Sequence, residues 1–78
     1  GLHYPVDIAV TANDRQGLLR DITEVFSKDK INVIGVQTET QRGVAKMQFT
    51  AEVNSGEQLR GALTHLLEVN GVFEVRRR

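Results

Sequence analysis

The stretch NDRQGLL at residues 13–19 decides the fold, because a strand pattern ends there and a helical pattern begins. Before it, apolar and polar residues alternate over residues 6–11, which is the period of a half-buried strand. After it, apolar residues recur with the spacing of an amphipathic helix, at Leu18, Leu19, Ile22, Val25 and Phe26. Asp14 is a short acceptor of the type that caps the free amides of a starting helix, so we predict that it is the N-cap.

Gly17 falls in the first turn of this predicted helix, where a glycine costs about 1 kcal/mol relative to alanine. Such a glycine indicates either that the helix packs tightly on its sheet or that a ligand or partner approaches the backbone closely. Helix N-termini also present unpaired N–H groups and a positive dipole end, which suit a carboxylate or a phosphate. The spacing alone leaves both interpretations open.

The remaining apolar patterns predict three more strands and one more helix. The strand patterns cover residues 31–40, 45–53 and 72–76, with a hairpin turn at 41–43. A capping box formed by Ser55 and Gln58 opens the second helix, and residues 70–71 (Asn-Gly) end it. Its expected buried stripe consists of Leu59, Ala62, Leu63, Leu66 and Leu67.

The element order β-α-β-β-α-β predicts an α+β, ferredoxin-like fold, in which a four-stranded antiparallel sheet carries both helices on one face. The usual strand order of this topology, 4-1-3-2, places the second strand at an edge. Residues 31–38 carry no charge and no proline, so this edge lacks the usual protections against edge-to-edge pairing. We therefore expect two copies to pair here and extend the sheet across a homodimer.

Composition limits the function. Residues 1–78 are enough for a single small domain, and the formal net charge of zero gives the chain no overall attraction to nucleic acid or to an anionic membrane. Cysteine is absent, which excludes disulfides and thiolate sites and is typical of the reducing cytoplasm. No apolar run approaches the roughly 20 residues needed to span a bilayer. Because the chain begins with Gly1 and not with methionine, we expect it to be a piece of a longer protein.

The sequence shows no catalytic or metal-binding constellation. His3 and His65 stand alone, and a solitary histidine on a polar helix face is normally solvated. No histidine pair has the spacing of a metal site, and no glycine-rich loop is present that would bind phosphate. We therefore predict a non-catalytic domain without a cofactor.

RNA-recognition modules share this topology, and residues 42–49 partly match their third-strand signature. The outward positions that need stacking aromatics hold Val44 and Lys46, however, and Asp7 occupies the matching position on the first strand. Without those rings we expect no base-specific binding of a single strand, and we expect Phe49 to lie in the core. A basic run that either contacts phosphates or remains solvated follows at Arg76, Arg77 and Arg78.

In these motifs the chain resembles an ACT domain, a small-molecule regulatory module of βαββαβ fold, over nearly its full length. Residues 14–19 look like that family's D-R-x-G-L-L turn, and residues 31–33 look like the I-N-V start of its second strand. The Y-P-V-D opening at residues 4–7 and the ending at residues 71–77 look like the C-terminal ACT domain of RelA/SpoT-type alarmone synthetase-hydrolases, the GTP pyrophosphokinases.

The resemblance implies a side-by-side homodimer, formed through the second strand and the first helix, that binds an amino acid at its interface. One wall of that site would come from the first turn, at Asn13, Asp14, Gly17 and Leu18. The other wall would come from the second strand of the neighbouring copy, at Asn32, Val33 and Ile34. This aliphatic lining favours a branched-chain amino acid.

The resemblance further implies that the domain transmits amino-acid or ribosome status to the catalytic domains of a parent protein during the stringent response. The alternative is an interaction module without a ligand, which docks on ribosomal RNA, tRNA or another domain through the open sheet face and Arg76–Arg78. Glu24, Glu52 and Glu74 weaken any uniformly basic surface, so the sequence favours the sensor.

Overall fold

The computed structural model describes residues 2–78 and has four strands and two helices in the predicted order. The elements are β1 (Tyr4–Asn13), α1 (Leu18–Lys28), β2 (Asn32–Gln41), β3 (Val44–Val53), α2 (Gly56–Leu67) and β4 (Val72–Arg77). The strands form one antiparallel sheet in the order β2-β3-β1-β4. The predicted ferredoxin-like fold and its strand order are confirmed, with β2 and β4 at the two edges. Within residues 2–78, neither helix is long and apolar enough to cross a membrane.

The core lies between the helices and the inward face of β1 and β3. Ile8 lies directly opposite Phe49 in the sheet, and the Phe49 ring packs against Phe26 of α1 with centroids 5.2 Å apart. All three side chains are fully buried, and burying such a side chain contributes about 1.5–3 kcal/mol to the free energy of unfolding. The predicted place of Phe49 in the core is confirmed.

Each helix buries a narrower stripe than its sequence predicts. In α1 the buried residues are Leu18, Ile22 and Phe26. Leu19 is 44% exposed, and in α2 Leu67 is 51% exposed although its neighbour Leu66 is fully buried. The prediction that Leu19 and Leu67 belong to the core is therefore wrong. Consecutive helical residues point about 100° apart, so only one of two adjacent leucines can face the sheet squarely.

The cap of α2 forms largely as predicted. The Ser55 hydroxyl accepts a hydrogen bond from the Gln58 backbone N–H at 3.1 Å. The Gln58 side-chain oxygen accepts one from the backbone N–H of Asn54 at 2.7 Å, one residue before the cap. The helix ends at Leu67, before the predicted stop, and Gly71 instead turns the chain into β4 with a φ of +96°.

The β2–β3 hairpin has the predicted tight turn. Arg42 and Gly43, the two residues between the strands, have φ values of +54° and +77°. Positive φ at both central positions is the signature of a type I′ turn, whose twist matches that of the flanking strands.

Both edge strands contain a β-bulge. Ile34 is the extra residue in β2, where the pairing with β3 shifts, and Phe73 is the extra residue in β4, where the pairing with β1 shifts. A bulge twists an edge and hinders pairing with a further strand, and β2 also contains the charged Glu39. The prediction that the second strand lacks protection is therefore wrong at Ile34, whereas residues 35–41 pair regularly with β3.

Candidate functional site

Three loops meet at the end of the sheet where β1 terminates. The backbone N–H of Asn13 donates to the carbonyl of Gly71 in the α2–β4 loop at 2.8 Å, and that of Asp14 donates to the carbonyl of Gly43 in the hairpin at 2.8 Å. The α2–β4 loop approaches so closely that a Cβ on Gly71 would lie 3.2 Å from the Asn13 carbonyl oxygen. These contacts fix the path of the chain between β1 and α1.

The Arg15 side chain ties the β1–α1 loop to both neighbouring elements. Its Nε donates to the Asn70 carbonyl at 2.9 Å and its Nη1 to the Gln16 carbonyl at 3.1 Å, while its Nη2 forms an ion pair with Asp21 Oδ2 at 2.8 Å. The hydrogen bond from Arg15 is the main reason that the pKa of Asp21 lies below its ordinary value. Sequence reasoning missed this anchor, because Asn70 lies 55 positions along the chain and no local motif marks it.

Gly17 is the N-cap residue of α1, with φ +80° and ψ 1°. This left-handed conformation is open to glycine but costly for residues with a Cβ. The predicted position of Gly17 inside the first helical turn is wrong, since α1 begins at Leu18. Tight packing on the sheet is not the reason for the glycine either, because the atoms nearest to an added Cβ are the guanidinium ends of Arg20, at 3.1 Å, and Arg15.

Asp14 does not cap α1, contrary to the sequence prediction, because Gly17 occupies the N-cap position and no side chain bonds to the helix start. The side chains of Asn13 and Asp14 are exposed. No ion pair within residues 2–78 involves the Asp14 carboxylate. The loop therefore holds an unpaired carboxylate in a fixed position beside the first turn of a helix.

The sequence placed Leu18 in the wall of the ligand site and Leu19 in the apolar stripe of α1, and the structure reverses these two positions. Leu18 is 2% exposed and belongs to the core, so its side chain cannot line a ligand site as the resemblance implied. Leu19 is the accessible leucine of this turn. Val25 shares a cleft with His65 of α2, and Leu19 lies on the opposite flank of α1. It therefore faces the β2 side of the helical layer.

The predicted second wall lies at the other end of the sheet. Gln41, the last residue of β2, is level with Asn13 across β3. The residues Asn32, Val33 and Ile34 are at the first end of the 10-residue strand, and at about 3.3 Å per residue they lie roughly 23–30 Å from that level. One chain therefore does not bring the two predicted walls together.

The three β2 residues differ in their surroundings. The Asn32 Nδ2 donates to Glu52 Oε1 at 3.0 Å, which orients the amide along the sheet. Val33 is partly buried against the core. Ile34, the bulge residue, is 54% exposed.

Strand alternation separates Arg77 from the other two arginines of the basic run. Arg76 and Arg78 line a groove of about 490 Å³ on the open face of the sheet, whereas Arg77 lies opposite the buried Ile8 and so on the helix side. The other charged residues of the groove are Lys46, Glu39 and Glu74. The groove therefore carries mixed charge, and none of the residues that line it is aromatic.

His65 is half-exposed to solvent, as expected, but it does not stand alone as the sequence suggested. Its Nδ1 lies 2.9 Å from Oδ2 of Asp29, the C-cap residue of α1. This hydrogen bond, together with the charge of Asp29, raises the pKa of His65. The pair joins the two helices at the surface. No group of side chains within residues 2–78 is placed to hold a metal ion.

In a comparison with protein families, the model of the ACT domain matches residues 1–77. The chain is an ACT domain. ACT domains are generally regulatory and non-catalytic. In this one the D-R-x-G-L-L motif at residues 14–19 spans the loop after β1 and the first two residues of α1.

Comparison with similar proteins narrows the type of ACT domain. The guanosine-3′,5′-bis(diphosphate) 3′-pyrophosphohydrolase of Aquifex aeolicus (strain VF5) is 41% identical over 70 residues, which cover 90% of this chain and 10% of that protein. The GTP pyrophosphokinase of Escherichia coli (strain K12) is 38% identical over 76 residues, which cover 95% of this chain and 10% of that protein. The crystal structure of the ACT domain from the GTP pyrophosphokinase of Chlorobium tepidum has a TM-score of 0.87 at 25% identity, covering 99% of this chain and 100% of that chain.

The resemblance to ACT domains of RelA/SpoT-type proteins is thereby confirmed. The ACT domain spans about a tenth of the length of these curated relatives. Of the predicted site residues, it brings Asn13, Asp14 and Gly17 together in one ordered loop and leaves those of β2 at the far end of the sheet.

Proposed function

We propose that this ACT domain is an amino-acid sensor that pairs side by side with a second copy and allosterically controls a longer parent protein. The domain would be the C-terminal part of a cytoplasmic, RelA/SpoT-type protein and would adjust its alarmone synthetase and hydrolase activities in the stringent response. The similarity to proteins named as a GTP pyrophosphokinase and as a 3′-pyrophosphohydrolase supports this parent activity.

The observation that carries the proposal is the unpaired carboxylate of Asp14 in a loop that Arg15 holds in place. A free amino acid carries an ammonium group, which Asp14 can accept as a charged hydrogen-bond donor. It also carries a carboxylate, which the free amides and positive dipole end of α1 can receive. The two charges of the ligand thus have complementary groups within one turn of the chain.

Exposed apolar side chains support pairing along the β2 edge, which we define as Leu19, Ile34 and Val36. These side chains are 44%, 54% and 45% exposed, and α1 packs beside β2. If two β2 strands pair antiparallel around their midpoints, the Asn32 end of one strand comes level with Gln41 of the other. Pairing would thus remove the separation of roughly 23–30 Å between the predicted walls.

The same arrangement supports a branched-chain ligand. Because Leu18 is buried, the apolar contacts of the ligand side chain would come from Leu19 and from Ile34 of the second copy. An aliphatic side chain placed between them would lose contact with water on two sides.

Amide NMR titration with valine, isoleucine and leucine, combined with sedimentation, tests the proposal. We expect saturable shifts at residues 13–19 and 32–34 of a dimeric domain. Asp14→Asn should weaken binding about tenfold or more, since a hydrogen bond to a charged group contributes about 1.5–3 kcal/mol. Glu74→Gln, which changes an exposed carboxylate at the opposite edge, is the matched control. Equal affinities of the two variants would contradict the assignment of Asp14.

The alternative function, a ligand-free module that docks on ribosomal RNA, tRNA or another domain, is favoured by one observation. Arg76, Arg78 and Lys46 share the groove on the open sheet face. Glu39 and Glu74 line the same groove and oppose phosphate binding, so we prefer the sensor. Reversing the charge of both arginines should reduce ribosome association of the parent protein but leave amino-acid binding intact. No shift with any amino acid, in a folded dimer, would favour the docking module.

A further inference from the structure

Two exposed apolar side chains lie on the elements at the edge of the sheet opposite β2. Phe73, the bulge residue of β4, is 56% exposed, and Leu67 at the end of α2 is 51% exposed. Leu67 lies on the flank of α2 away from His65, which faces α1, and α2 packs beside β4. We call this surface, formed by Leu67 and residues 73–77, the β4 edge.

The backbone of the β4 edge is open to a further strand. The Arg78 N–H donates to the carbonyl of Asp7 at 2.9 Å, and Arg76 lies opposite Ala9 in the same register. In an antiparallel pair, hydrogen-bonded residues alternate with residues whose N–H and C=O groups point away. The N–H and C=O groups of Val75 and Arg77 therefore point outward, where β4 has no neighbour in the sheet.

The charge of the β4 edge is unbalanced. No carboxylate within residues 2–78 forms an ion pair with Arg76 or Arg77. The acidic residue of the strand, Glu74, accepts a hydrogen bond from the Thr11 hydroxyl at 3.3 Å across β1. Alternation places Arg77 on the helix side and Arg76 on the open side, so the free edge is cationic on both faces.

We propose that the β4 edge binds an extended, acidic peptide segment of another protein or domain by strand addition. The outward N–H and C=O groups of Val75 and Arg77 would pair with the backbone of that segment. Its acidic side chains would lie beside Arg76 and Arg77, and an apolar side chain would cover Leu67. Main-chain pairing gives such binding its affinity, and the alternate side chains give it specificity.

Two other occupants fit the edge less well. In an antiparallel pair of β4 strands centred on Val75, Glu74 of one copy would lie opposite Arg76 of the other, but Arg77 would lie opposite Phe73 and gain no carboxylate. RNA can neutralise arginines but cannot pair with the outward backbone groups of Val75 and Arg77 as a strand does. An acidic strand that also carries apolar residues matches the outward backbone groups, the exposed apolar side chains and the charge together.

Amide hydrogen exchange of the chain with a synthetic peptide, acetyl-EEEVTV-amide, tests the proposal. In an antiparallel orientation its three glutamates would lie level with residues 76–78 and its valines would lie toward Phe73. We expect the amides of Val75 and Arg77 to exchange rapidly without the peptide and at least about tenfold more slowly when it is bound. The Arg76 amide, which already points to β1, should be slow in both states and is the internal control.

Charge exchange provides the second part of the test. The double variant Arg76→Glu with Arg77→Glu should lose about tenfold or more in affinity for this peptide and bind acetyl-KKKVTV-amide instead. The double variant Arg42→Glu with Arg60→Glu has the same net charge and should behave like the unchanged chain.

Three kinds of result would overturn the proposal. The first is equal binding of the acidic and the basic peptide, or no protection of Val75 and Arg77 at peptide saturation. The second is protection of these amides that grows with protein concentration alone, which would assign the β4 edge to a second copy. The third is saturable binding of a ten-nucleotide RNA at residues 73–78 with no response to the peptide, which would assign the edge to phosphate.

Discussion

Replacing Gly17 by alanine is expected to destabilise the ACT domain, although the same change inside a helix stabilises. At φ +80° the alanine Cβ costs roughly 1–2 kcal/mol relative to the right-handed region. Alanine also restricts the unfolded chain, which offsets about 0.4–1 kcal/mol of this cost. The nearest atom to the new Cβ, Arg20 Nη2 at 3.1 Å, ends a long side chain that can move aside. The free energy of unfolding should therefore fall by about 1 kcal/mol.

Gly61→Ala is the matched control, because Gly61 lies inside α2 and a Cβ there meets nothing within 4 Å. Alanine should stabilise this position by about 0.5–1 kcal/mol. In a domain of this size 1 kcal/mol shifts Tm by roughly 4–8 °C, so the two variants should move Tm in opposite directions. Urea and thermal unfolding followed by circular dichroism measure both, at one fixed protein concentration because pairing would stabilise the folded state.

The sign of the Gly17 result decides between two conformations. If Gly17 were inside the first helical turn, as the sequence alone predicts, alanine would raise the free energy of unfolding by about 1 kcal/mol. An unchanged or higher Tm for Gly17→Ala, with Gly61→Ala stabilising as expected, would refute the left-handed N-cap. A lower Tm for both variants would instead show that the comparison of the two glycines is unsound.

Two further predictions concern a surface pair and two adjacent leucines. Because Asp29 raises the pKa of His65, the stabilisation by this pair is complete below about pH 6.5 and is lost as the pH rises through the pKa of the folded state. Urea midpoints should show that His65→Gln removes this part of the pH dependence and that His3→Gln keeps it; equal pH profiles would contradict the pairing. Leu18→Ala should cost about 2–5 kcal/mol of unfolding free energy, because it leaves a cavity in the core. Leu19→Ala should cost less than about 1 kcal/mol in the monomer and weaken the proposed dimer, and similar losses in the two variants by urea unfolding would contradict their assigned places.

The strands and helices were predictable because their signals are local. The alternation in β3 distinguishes its inward face from its outward face within ten residues. The Ser55–Gln58 cap is recognised within a segment of four residues. Four strands with a period of 2.0 residues and two helices with a period of 3.6 residues leave few ways to cover one face of a sheet. The strand order follows from that constraint.

The candidate site was only partly predictable, because its geometry depends on contacts between distant residues. The turn at residues 13–19 was located correctly, but Asp14 was assigned to the cap that Gly17 occupies. The Arg15–Asn70 contact that fixes the loop spans 55 positions, and the His65–Asp29 pair spans 36. No pattern within a helix or strand carries information about either.

The sequence by itself determined the type, order and inward face of each element, since these follow from hydrophobic periodicity and from turn residues. Only the tertiary structure decided that Leu18 is buried while Leu19 is exposed, because the docking angle of α1 on the sheet selects between adjacent side chains. It also decided the bulges at Ile34 and Phe73, which depend on the register of neighbouring strands. The exposure of Leu19, Ile34 and Phe73 at the two edges of the sheet therefore depends on packing between distant segments and not on local sequence preference.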